Sequence, residues 1–74
     1  MTTRLYMIMG TVTQEGPDGS ITHQIPTFYL DVNVQGIVSE EHAVKIATDI
    51  VNPCKLPLRV SLFAHPVEVA IEVK

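Results

Sequence analysis

The sequence predicts a small α+β domain: a mostly antiparallel sheet of three to four strands with one amphipathic helix packed on one face. Three observations carry this. Two runs rich in β-branched and aromatic residues flank Glu15-Gly16-Pro17-Asp18-Gly19, a capped amphipathic stretch begins at Ser39, and the C-terminal segment alternates apolar with polar residues. The expected order is β-β-α-β, or β-β-α-β-β if the tail folds back, within one domain spanning 1-74.

The first element is a hairpin over 4-35. Proline presets the backbone angle for the second position of a type I turn, aspartate suits the third, and Gly19 supplies the positive φ needed to return. Counting outward from Gln14 opposite Ile21 places Leu5 opposite Leu30, Tyr6 opposite Tyr29, Met7 opposite Phe28 and Arg4 opposite Asp31, pairs that sheets favour. In this register Phe28, Leu30, Val32 and Val34 face the core, and Met7 and Met9 join them through alternation with Leu5. Beyond Gly10 and Pro26 the pattern inverts, so a bulge or twist is expected there, and the distal hairpin projects as an arm.

Gly36 ends the strand and Ser39-Glu40-Glu41 opens a helix over 39-52. Serine caps the free amides, and two carboxylates suit the positive end of the helix dipole. Ala43, Ile46, Ala47 and Ile50 make an apolar stripe, so Ile46 and Ile50 are expected to be buried against the sheet. Asn52-Pro53 closes the helix because proline cannot continue its hydrogen-bond ladder. Strand resumes over 58-74, where Val67, Val69, Ile71 and Val73 alternate with Glu68, Ala70, Glu72 and Lys74. The break at Ala64-His65-Pro66 fits either a bend in one long strand or a turn between two.

A chain of 74 residues has room for one core. The single cysteine, Cys54, excludes an internal disulfide and is expected to pack as a small apolar residue. No signal peptide or membrane span is supported, which makes a soluble cytoplasmic protein the expectation. Net charge is −3, and Arg4, Lys45, Lys55, Arg59 and Lys74 are spread along the chain. Phosphate-backbone binding relies on clustered Lys and Arg, so no nucleic acid and no membrane partner is expected.

Motifs with chemistry are few. The sequence contains no glycine-rich phosphate loop, Cys-x-x-Cys pair, His-Glu-x-x-His helix or Gly-x-Ser-x-Gly elbow. His23, His42 and His65 fall on three different elements without ligand spacing and are expected to face solvent, so no cofactor, metal or catalytic residue is assigned. Glu40 and Glu41 are accounted for by the helix start, and Glu68 and Glu72 by a solvated strand face.

The stretch from Tyr29 to Val51 resembles the strand-helix unit of short phage and mobile-element proteins. That resemblance covers about a third of the chain and implies an origin rather than an activity.

The functional expectation rests on hydrophobic surplus. Apolar residues make up 46% of the chain, and the register above leaves Tyr6, Ile8 and Tyr29 on the face away from the helix. One helix covers one face of a sheet, so these three residues form the candidate interface. The expected protein is a small non-enzymatic interaction or assembly protein, partnered by a second copy of itself or by another protein. The alternative is a ligand binder or enzyme with a site between subunits, to which His42, His65 or Arg59 supply polar contacts.

Overall fold

The computed structural model describes residues 2–70. Strand β1 (Thr2–Gly16) runs into β2 (Gly19–Asp31), followed by a helical turn α1 (Val32–Gln35), helix α2 (Glu40–Val51) and strand β3 (Arg59–Ala70). The three strands form one antiparallel sheet in the order β2-β1-β3. This is the expected α+β architecture. The tail is one strand: β3 pairs with β1 from Arg59 opposite Thr13 to Ala70 opposite Thr2 without a break at His65-Pro66. An edge strand tolerates a residue that cannot donate to a ladder, which is why Pro66 fits there. The alternating residues Ile71 and Val73, with Glu72 and Lys74, lie outside the described residues.

The hairpin turn is Pro17-Asp18, with Gly16 paired to Gly19 and Gly19 at φ 124. From the turn to Gly10 opposite Ile25 the pairing is as counted from the sequence. The register then shifts: Ile8 lies opposite Phe28, Met7 opposite Tyr29, Tyr6 opposite Leu30 and Leu5 opposite Asp31. Met9 alone faces two residues, Pro26 and Thr27, so the extra residue of the bulge belongs to β2. Because side chains alternate with a period of two, this one-residue slip exchanges the faces of everything beyond it.

The consequence is a correction to the core. Ile8 is fully buried, with Leu30, Ile37, Ala43, Ala47 and Ala64 around it and Tyr6, Phe28, Val32, Val44, Ile46 and Leu62 packed at the margin. Leu5, Met7 and Met9 instead occupy the opposite face. Among the described residues three of the six buried hydrophobic side chains are alanines, which lets α2 approach the sheet closely, chiefly over β3.

Gly10 marks a second close approach. A Cβ there would lie 2.0 Å from the Ser61 carbonyl oxygen and 2.8 Å from the Leu62 Cα, so any side chain would force β1 and β3 apart.

Val32 and Val34 do not continue the strand. Asp31 ends β2 by accepting the Asn33 and Val34 amides on Oδ1 at 2.8 and 3.0 Å, an N-cap that starts a helical turn. Gly36 closes that turn in the left-handed region at φ 63. Val34 is therefore exposed, and Ile37 takes the buried place.

Helix α2 begins as expected, with the Ser39 hydroxyl accepting the His42 amide at 3.1 Å and Glu40 and Glu41 in its first turn. It ends at Asn52, whose side-chain amide brackets Leu56, donating to its carbonyl and accepting its N–H, both at 3.0 Å. Ile46 is half-buried, but Ile50 is 51% exposed and not buried as its spacing suggests. By helical spacing it shares the face of Ala43 and Ala47, but about half of its side chain stays open to solvent. Cys54 is likewise exposed rather than packed, because the Asn52–Leu56 loop stands off the core.

Candidate interaction surface

The pairing register sorts the sheet into two faces. Even-numbered residues of β1 and β3, with Phe28 and Leu30 of β2, share the face that carries the helices, which cover its middle around Ile8 and Ala64. Odd-numbered residues of β1 and β3, with Tyr29 and Asp31, lie on the other face, which no element among the described residues covers. Of the three residues expected at an interface, Tyr29 alone is on this open face, 56% exposed. Tyr6 and Ile8 are on the helix side, and the reason is the bulge.

Four rows make the open face apolar. Thr3 pairs with Val69; Leu5 with Val67 and Asp31; Met7 with His65 and Tyr29; Met9 with Phe63. Phe63 is 66% exposed, and Met9 and Val69 are each 42% exposed. Asp31 sits at the margin with its carboxylate already engaged by two backbone amides. Toward the hairpin tip the same face turns polar. The Thr13 and Thr22 hydroxyls are 3.0 Å apart, and Arg59 Nη2 lies 2.6 Å from Glu15 Oε1 across β1 and β3.

A second group of exposed apolar side chains lies elsewhere. Val34 and Val38 flank the start of α2, Ile50 and Leu56 its far end, and Ile21 lies near the tip of the hairpin. A helix of 12 residues is about 18 Å long, so the first two pairs are separate spots rather than one patch.

The residues considered for a site between subunits are not brought together. The His42 imidazole accepts the Val38 amide on Nδ1 at 3.2 Å, so it works as a local cap. Arg59 is engaged with Glu15 at the distal end of the open face, His65 lies on that face on the edge strand β3 beside Met7, and His23 lies on the hairpin arm. Among the described residues, no three His, Cys, Asp or Glu side chains cluster with metal-binding geometry. Shallow depressions among the described residues include one inside the hairpin turn from Gln14 to Ile21 and one beside Glu40, Glu41 and Val44. Among the described residues, no helix is long and apolar enough to cross a membrane.

Sequence reasoning missed Met9 and Phe63 as surface residues. The signal was present in the Gly10 and Pro26 defect. Carried through to the rest of the pairing, a one-residue slip exchanges the two faces.

Comparison with family models, curated proteins and solved structures finds no match to this chain.

Proposed function

We propose that this chain is a small non-enzymatic interaction protein whose working form is a homo-oligomer. The observation that carries the reading is the mismatch between apolar content and core. Apolar residues are 46% of the sequence, yet Ile8 is the one large side chain fully buried among the described residues. Among the described residues nine large hydrophobic side chains are exposed.

Shape supports the same reading. The Cα radius of gyration is 14.8 Å, whereas a compact chain of this length has about 11 Å. A body measuring 56 × 19 × 16 Å is too thin to enclose a core of its own on both sides of the sheet. Chains this small commonly complete their core with a partner, and a second copy is the partner always present.

Sedimentation equilibrium over a dilution series tests this directly. The expected result is a mass above that of one chain, with a melting temperature that rises with chain concentration, because association stabilises by mass action. A single-chain mass up to millimolar concentration, with a concentration-independent melting temperature, overturns the proposal.

A further inference from the structure

We infer that the second copy docks on the open face of the sheet, over the rows from Thr3 to Met9, so that two sheets pack face to face with the helices outside. The inference rests on the homo-oligomer reading above and adds the surface. The free edges of the sheet are poor candidates. Edge-to-edge pairing needs a continuous row of backbone donors and acceptors, and each edge strand carries a proline, Pro26 at the bulge of β2 and Pro66 within β3.

The open face has the composition of an interface core. Met7, Met9, Tyr29, Phe63, Val67 and Val69 adjoin one another, with no lysine, arginine or glutamate among the four rows. Interface centres are depleted in charge and enriched in aromatic residues and methionine. Methionine also adapts its shape to fill gaps between two flat layers. The Arg59 and Glu15 pair lies beyond these rows, where a polar rim belongs.

The area agrees. The chain exposes 5666 Å², where a compact monomer of 8.2 kDa exposes about 4,500 Å². That excess, about 1,100 Å², belongs to the elongated chain as a whole, hairpin arm included, and is comparable to the roughly 800 Å² that each partner contributes to a standard interface. The open face supplies part of it, by meeting another sheet about 10 Å away with interdigitating side chains.

The test combines variants with a direct contact measurement. Phe63→Glu and Tyr29→Glu change side chains that are exposed in one chain, and Val38→Glu and Ile21→Glu are controls on other exposed surfaces. The first two are expected to raise the dissociation constant in sedimentation by roughly 30-fold or more, the scale of losing an interface hot spot, while the controls leave it within about threefold. Because a separated chain can lose its fold, isotope-filtered NOEs are also recorded on a mixture of labelled and unlabelled wild-type chains. Contacts between chains from the Phe63 and Tyr29 rings to the methyl groups of Met7, Met9 and Val67 are expected. An oligomer whose intermolecular contacts fall on Val34, Val38, Ile50 or Leu56 overturns the docking surface and leaves the oligomer reading standing. A wild-type monomer overturns both.

Discussion

Truncating Ile8 to alanine separates the bulged register from the unbulged one. In the unbulged pairing Ile8 is on the outer face, where its loss acts on association and the apparent change in stability varies with chain concentration. In the structure it is fully buried beneath α2. Removing three buried carbons at ~0.8 kcal/mol each costs about 2.4 kcal/mol. At ~24 cal/mol per Å³, a remaining cavity of about 40 Å³ adds about 1 kcal/mol. The expected loss is therefore about 3–4 kcal/mol, within the usual range for isoleucine to alanine in a core. A domain of this length is stable by about 4–11 kcal/mol, so the variant is left near the edge of folding. Urea denaturation at one fixed chain concentration measures the loss, since association contributes to apparent stability. Thermal melting gives a second reading, with a fall of roughly 12–32 °C at 4–8 °C per kcal/mol. A loss below about 1 kcal/mol, typical of a surface position, refutes the bulged register and with it the assignment of the open face.

Three further outcomes follow from particular residues. Ile50→Ala should cost about 1 kcal/mol or less by denaturation, because the side chain is already 51% exposed; a loss above about 2 kcal/mol would mean that the last turn of α2 rests on the sheet. Gly10→Ala and Gly36→Ala should differ in kind. The first meets backbone atoms and should both destabilise by about 1–3 kcal/mol and speed amide exchange along the β1–β3 ladder. The second meets nothing within 4 Å and should cost only the left-handed penalty of about 1–2 kcal/mol, with that ladder's protection unchanged relative to the rest of the chain. Ser39→Ala should destabilise by about 0.5–2 kcal/mol through the lost cap, while Ser39→Asp retains stability; equal losses in the two variants, followed by circular dichroism, would count against the capping role.

The sequence by itself determined the elements whose causes are local. The Pro17-Asp18-Gly19 turn, the Ser39 cap with its two glutamates and the stop at Asn52-Pro53 each depend on neighbours a few residues apart, and each is where its chemistry places it. The Asp31 cap and Gly36 are just as local, but the alternation of Phe28, Leu30, Val32 and Val34 pointed to strand there. The capped turn prevailed because Asp31 satisfies two amides and Ile37 can then reach the core.

Tertiary structure decided which face of the sheet is inside. Either parity of β1 offers a plausible apolar set: Leu5, Met7 and Met9, or Tyr6 and Ile8. A period of two has no preference between them once a bulge is allowed. The choice falls to what meets the sheet from outside the hairpin. The small side chains Ala43, Ala47 and Ala64 bring α2 close over Ile8 and Leu30, and Gly10 lets β3 approach β1 without a collision. These contacts join residues distant in the chain, so the one-residue slip at Pro26-Thr27 that satisfies them all is a property of the packed molecule and not of any segment read alone.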